Sequence, residues 1–355
     1  MPELKIGKVK IGAGDPVVIV CEIGVDHMGD MAKAKRMIDA AKDCGADVAK
    51  FQIHLPDVEM APNHPATRFH GGSLTEVFDE SHLTADQHRE LKEYCERVGI
   101  EYLCTPFCPT SVDLLNDVVG VTGFKTGSGE ITNLPEHRKL AKISARTGKP
   151  VLVSTGMCTQ EEVDETVRVY EEEGALSNLV LMVCTSEYPL ERYEDVSLGL
   201  IPNWHERYGV LVGYSDHSKD NRIACAAVAM GAKVIEKHFT LAYDEGGCDD
   251  PVALTPDMFR ELVEGIRRVE LAMGSEKVVR PEEQKTRDWA FHSIVTNRPI
   301  KRGEKITADN VRPARPGVGI PAKYWDERHS GELFGHIAKR NFSKDYVLQW
   351  EDLES

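Results

Sequence analysis

Gly213-Tyr-Ser-Asp-His217 and Val234-Ile-Glu-Lys-His-Phe-Thr240 decide how this chain folds. Each is a short β-type run with an imidazole at its carboxyl end, and a helix-like stretch over 221–230 separates them. Strand, helix and strand at this spacing describe a parallel pair joined by a crossover. Residues two apart share one face of a strand. Gly213, Ser215 and His217 therefore face one way, as do Val234, Glu236 and His238. Neighbouring strands run ~4.8 Å apart, so the two imidazoles can reach one ion.

The same alternation extends to both sides. Strand-like runs lie at 17–21, 46–52, 101–105, 123–129, 150–154 and 179–185, and helical patterns cover 31–44, 84–98, 134–147, 159–173, 195–208 and 255–273. Eight such units at intervals of roughly 25–30 residues are the content of a (β/α)8 TIM barrel, expected over 1–274. An open doubly wound sheet also alternates, but it has no fixed count and usually begins with a Gly-rich turn. Gly24 and Gly29 do not form GxGxxG. The segment 54–83 is polar and rich in Pro, Gly and His, the pattern of a loop over one face. After Gly274 comes a charged linker, 275–290. Residues 291–355 show short alternating runs and turn residues, the pattern of a small C-terminal β-rich domain. It is too small to bury much core alone and is expected to dock on a barrel.

Composition narrows the function. The chain has 355 residues, 41% of them hydrophobic, and a formal net charge of −15. That charge argues against nucleic acid and anionic membranes as partners. No apolar run reaches the ~18–20 residues of a membrane span. The N-terminus lacks a basic-then-apolar signal pattern. Nine dispersed cysteines without a CxxC pair read as reduced thiols, which suits a cytoplasmic protein.

In a (β/α)8 barrel the chemistry gathers at the carboxyl ends of the strands. Closure sets the first strand beside the eighth, bringing Glu22 toward His217 and His238. Two imidazoles with open positions suit a catalytic divalent metal such as manganese. Lys50 and Gln52, Lys125, Ser128 and Glu130, Ser154, Ser186 with Tyr188, and Ser215 end the other strands. Lysines inside apolar runs, hydroxyls and Gly-rich turns describe a site for a phosphate and a carboxylate.

Seven motifs together carry a family resemblance. They are Cys21-Glu-Ile-Gly-Val-Asp-His-Met-Gly29, Ala49-Lys-Phe-Gln52, Phe124-Lys-Thr-Gly-Ser-Gly-Glu130, Ser154-Thr-Gly-Met157, Cys184-Thr-Ser-Glu-Tyr-Pro189, Gly213–His217 and Glu236-Lys-His-Phe-Thr240. In order and spacing they resemble the sialic acid synthase family. The tail, with Arg315-Pro-Gly-Val-Gly-Ile320, resembles its antifreeze-like (SAF, β-clip) domain. The resemblance implies condensation of phosphoenolpyruvate with an N-acetylmannosamine-type sugar aldehyde, giving a nine-carbon 2-keto sugar acid and phosphate. It implies Mn2+ or Mg2+ on His217 and His238. Phosphoenolpyruvate would be held by Lys50, Lys125, Ser128, Ser154, Ser186 and Ser215. The sugar or the reacting centre would meet Glu22, Gln52, Glu130, Tyr188 and Asp249. In a domain-swapped homodimer it would also meet the partner subunit's Arg315.

The chain departs from the family pattern at Asp26, Ser186, the stretch Gly247-Cys-Asp-Asp250 and His292. These positions concern the acceptor, which stays open among N-acetylmannosamine, a 6-deoxy diacetamido sugar and mannose. Two other readings compete. A Schiff-base aldolase would use Lys50, Lys125 or Lys237, and leaves the histidine pair unexplained. A carbohydrate- or ice-binding protein would leave the barrel inactive.

Overall fold

Strand β1 (Val18–Gly24) is buried on both faces, as its unbroken apolar start requires. With β2 (Val48–Ile53), β3 (Glu101–Pro106), β4 (Phe124–Thr126), β5 (Val151–Ser154), β6 (Leu179–Cys184), β7 (Leu211–Asp216) and β8 (Val234–His238) it forms one eight-stranded sheet. All pairings in it are parallel, in the order β3-β2-β1-β8-β7-β6-β5-β4. The end strands β3 and β4 lie side by side, so the sheet curls into a nearly closed barrel. The computed structural model describes residues 4–61, 68–69, 72–243 and 249–355. They divide into two units, 1–274 and 275–355.

Alternation along the strands builds two cores. Outward residues such as Ile19, Ala49, Leu181 and Ile235 pack under the helices. Inward residues at the strand starts, among them Val18, Val48, Leu103, Leu152, Val180 and Val234, fill the barrel. An N-terminal hairpin, Leu4–Ile6 paired with Val9–Ile11, adds Leu4, Ile6 and Ile11 to that inner core. The inward rows then change character toward the carboxyl ends: Val18 and Val20 lead to Glu22, Val48 to Lys50, Leu152 to Ser154, Leu211 to Ser215, and Val234 to Glu236 and His238. Apolar side chains hold the lower barrel, and a polar layer remains on top.

The connecting helices begin where their caps dictate. Thr84 starts Ala85–Val98 and Thr159 starts Gln160–Glu172, each in a reciprocal capping box with Gln87 or Glu162. Three stretches differ from expectation. Part of 54–83 is helical, at Pro56–Glu59 and Leu74–Ser81; residues 62–67 and 70–71 lie outside the described residues. A helix over Pro109–Asp113, continued by a wider turn over Leu114–Val119, follows β3. The expected linker contains the helix Pro281–Ala290, none of whose residues is buried. It forms without an apolar face because Pro281 opens it, Glu282 and Glu283 occupy its first turn, and Arg287 occupies its last.

The second unit is β-rich as expected. Ser293–Thr296 pairs antiparallel with Val311–Ala314, and Ile337–Ala338 with Leu353–Glu354. Ile294, Ile300, Ile306, Val311, Ile320, Leu333 and Leu348 form its core. Among the described residues no helix is long and apolar enough to cross a membrane.

Candidate active site

A cavity of about 420 Å³ opens at the carboxyl ends of the strands. Parallel register assembles it: His238 lies level with Glu22, Glu22 with Lys50, and Ser215 with Glu236. At the centre is Glu236, which accepts a hydrogen bond from Ser215 Oγ at 3.0 Å. Its carboxylate lies 3.5 Å from Lys125 Nζ and 3.7 Å from Lys50 Nζ. Burial works against its charge, but the Lys125 and Lys50 ammoniums outweigh that and hold its carboxyl down at about 2. Lys50 also lies 2.8 Å from Glu22 Oε2 and donates to Thr105 Oγ1 at 3.0 Å. Burial pulls the Lys50 ammonium down, yet Glu22 and Glu236 together raise it above its ordinary value. Lys125 donates to Ser154 Oγ at 2.5 Å and to Thr126 O at 2.9 Å. With less carboxylate support it is lowered by burial.

Three serines gather beside Lys125. Gly156 N donates to Ser128 Oγ at 3.0 Å. A Cβ at Gly156 would lie 2.1 Å from Ser186 Oγ and 2.8 Å from Ser128 Oγ, so only glycine allows this approach. An ammonium and three convergent hydroxyls (Ser128, Ser154 and Ser186) form a donor set suited to a phosphate.

The histidines stand opposite, with ring centroids 5.3 Å apart. His217 Nδ1 lies 2.8 Å from Thr185 O, and His238 Nδ1 lies 3.0 Å from Asp249 Oδ2. Both oxygens accept, so each ring carries a hydrogen on Nδ1, and the neutral ring then has its lone pair on Nε2. Nε2 of each ring has no hydrogen-bond partner among the described residues. A metal-binding imidazole is held in this way by its second nitrogen. The residues therefore fit a divalent ion with two protein ligands; no cluster of three or more His, Cys, Asp or Glu able to hold one is found among the described residues. Asp249 is held below its ordinary value because His238 outweighs the effect of burial. Tyr188 covers the pair, its ring centroid 4.2 Å from that of His217. Behind them Lys237, fully buried, donates to Asp216 Oδ2 at 2.9 Å and also bonds Ser218 O. That pair ties β8 to the turn carrying His217.

Gly24 ends β1 with φ +57°, and a Cβ there would lie 3.2 Å from Asp249 Oδ2 and 3.4 Å from Glu22 Oε1. Glycine lets the chain turn at this point without intruding on either carboxylate.

Most expected site residues thus meet in one place: Glu22, Lys50, Gln52, Lys125, Ser128, Ser154, Ser186, Tyr188, Ser215, His217, His238 and Asp249 all line the cavity. Glu130 does not. The chain turns into a single helical turn at Ser128–Glu130, and the Glu130 carboxylate accepts from Asn133 Nδ2 at 2.7 Å. Arg315 is an exposed residue of the second unit, donating from Nε to Ala290 O at 2.9 Å with its guanidinium 5.4 Å from the Trp289 ring. Gly247 and Cys248 of the departing stretch lie outside the described residues. Glu236, Thr105 and His54 were not expected in the site. Glu236 shares the inward face of His238, so strand alternation was the signal that pointed to it.

A family model described as "NeuB family" matches residues 37–278, and one described as "SAF domain" matches 291–354. The chain belongs to the NeuB family. It is 38% identical to an uncharacterised protein of Methanocaldococcus jannaschii, over 99% of both chains. It is 36% identical to the N,N'-diacetyllegionaminic acid synthase of Campylobacter jejuni, over 94% of this chain and 98% of that one. Among solved structures it resembles the N-acetylneuraminic acid (sialic acid) synthetase of Leptospira borgpetersenii in complex with citrate. That match has a TM-score of 0.70 at 30% identity, over 80% of this chain and 95% of the other. The NeuB relatives thus include synthases of more than one nonulosonic acid.

Proposed function

We propose that this NeuB-family chain is a metal-dependent nonulosonic acid synthase. It condenses phosphoenolpyruvate with an acetamido sugar aldehyde of the N-acetylmannosamine type and cleaves the C–O bond of phosphoenolpyruvate. One observation carries this reading: a lysine–serine anion pocket and a pair of Nε2-free imidazoles face each other across Glu22 and Glu236. A phosphate donor and an aldehyde need those two ends in one cavity.

Lys125, Ser128, Ser154 and Ser186 hold the phosphate, and Lys50 with Ser215 orients the carboxylate end. A divalent ion bound by His217 and His238 would polarise the aldehyde oxygen. The methylene carbon of phosphoenolpyruvate attacks the aldehyde carbon, and positive charge develops on the neighbouring carbon that carries the phosphate. Buried Glu22 Oε2 has the Lys50 ammonium beside it at 2.8 Å, and Glu236 Oε2 lies 3.7 Å from the same ammonium, so both carboxylates face the reacting centre in ionised form. Both can stabilise that carbon, and Glu22 Oε2 can take the proton of the water that adds to it. Phosphate then leaves with the bridging oxygen, its charge stabilised by Lys125.

Gln52, Tyr188 and Asp249 face the sugar. In a homodimer the partner subunit's Arg315 completes the acceptor side. Dispersed thiols, all free at the eight cysteines among the described residues, suit work in the cytoplasm. The test is a panel of acetamido sugars and mannose with phosphoenolpyruvate and Mn2+, with products identified by mass. A nine-carbon keto acid supports the reading, and no product from any aldehyde rejects it.

One observation favours a second reading. Burial lowers the Lys125 ammonium, as a Schiff-base lysine requires. Borohydride with substrate would then trap a covalent adduct on Lys125, which the synthase reading does not allow.

A further inference from the structure

We infer that His54 and Glu59 are positioning residues that fix Glu22 through Gln52. Gln52 Nε2 donates to Glu22 Oε1 at 2.7 Å, and Gln52 Oε1 lies 3.0 Å from His54 Nε2. His54 Nδ1 lies 2.6 Å from Glu59 Oε1, and both side chains of that pair are buried. Glu59 Oε2 accepts from Leu55 N at 3.2 Å. The His54 ring is clamped between Phe78 and Phe107, with centroid distances of 3.7 and 4.2 Å and interplanar angles of 8° and 16°.

The direction of each bond follows from the chemistry. Glu22, beside Lys50, only accepts, so Gln52 must turn its NH2 to Glu22 and its carbonyl to His54. His54 Nε2 then carries a hydrogen. Its Nδ1 faces a carboxylate oxygen at bonding distance, so a second proton lies between His54 and Glu59 and the pair is neutral overall. A terminal amide can otherwise reverse at little steric cost. Reversal here would set the Gln52 oxygen against the Glu22 carboxylate and two N–H donors against each other. The clamped, doubly bonded ring removes that alternative, and the carboxylate keeps one aim toward the reacting carbon.

This inference rests on the reading of Glu22 as the group that handles the water. The test is steady-state kinetics of His54→Phe, Gln52→Ala and the double variant, with Glu22→Gln measured alongside. His54→Phe keeps the ring stack and should lower kcat about 10–100-fold while KM for phosphoenolpyruvate moves by no more than about two-fold. In the Gln52→Ala background it should add nothing, since its effect passes through Gln52. Glu59→Leu should match His54→Phe. Glu59→Gln can donate to Nδ1 and still accept from Leu55, so it should restore most of the rate. Multiplying losses in the double variant would overturn the inference, as would equal rates for Glu59→Leu and Glu59→Gln. The Glu59 pair decides the matter if His54→Phe does not fold. Full turnover by Glu22→Gln would overturn the reading of Glu22 and the inference with it; an inactive Glu22→Gln beside multiplying losses would overturn the inference alone.

Discussion

Lys125 and Glu236 face each other in the cavity, Nζ 3.5 Å from Oε1. Lys50 flanks the same carboxylate and pairs with Glu22 at 2.8 Å. Two ammoniums and two carboxylates cancel, and Asp249 adds a further negative charge. The side chains alone therefore give phosphoenolpyruvate, an anion, no net attraction.

A divalent ion held by His217 and His238 would reverse that balance. Chelation should weaken phosphoenolpyruvate binding at least about 10-fold, measured by calorimetry with and without Mn2+. Equal affinities would break the link between the two ends of the site. His217→Ala and His238→Ala should each show the weak, metal-insensitive binding.

Glu236→Gln keeps the hydrogen bond to Ser215 but leaves two buried ammoniums facing one carboxylate. Removing one partner of a buried pair costs about 3–5 kcal/mol. Added phosphoenolpyruvate should then raise the melting temperature more in Glu236→Gln than in the unaltered protein, because the ligand restores the missing charge. An equal shift would show that Glu236 does not balance the lysines.

Lys237 and Asp216 form an ion pair in which neither side chain is exposed. Lys237→Met should destabilise the protein by about 3–5 kcal/mol in denaturant unfolding, by leaving Asp216 buried and unpaired. Because that pair braces the turn bearing His217, Mn2+ affinity should fall as well. A stable variant with unchanged metal affinity would remove the bracing role.

Glu136 is buried, and burial followed by the charges of Glu130 and Glu59 raises its carboxyl from 4.5 to about 8. Between those values the folded chain holds a proton that the unfolded chain has lost, so rising pH favours unfolding. Glu136→Gln removes this term. It should stabilise the protein by about 2–4 kcal/mol at pH 8 and by little near pH 4.5. Parallel stability–pH curves for the two proteins would contradict the assignment.

Much of the site was legible wherever a strand carried it. Period-two alternation and barrel closure place Glu22 level with His238, and the lysines stood out as charges inside apolar runs. The same rule points to Glu236, two residues before His238 on the same inward face. Legibility fails where the chain leaves the strands. Glu130 follows a Gly-rich turn, and no periodicity forecasts that its carboxylate turns back to Asn133. His54 enters the site through its ring stack with Phe78 and Phe107, on segments whose sequence reads as loop. The helix Pro281–Ala290 has no buried face, so hydrophobic patterning had nothing to register; only its end charges and Pro281 marked it.

On the proposed reaction, one cavity joins a phosphate-bearing enol to a sugar aldehyde with C–O cleavage. Phosphoenolpyruvate labelled with 18O in the bridging position tests it most directly, incubated with Mn2+ and an N-acetylmannosamine-type aldehyde. The label should appear in inorganic phosphate, in step with a nine-carbon keto acid, and only when the aldehyde is present. Label retained in the organic product, or phosphate released without the aldehyde, would contradict the account.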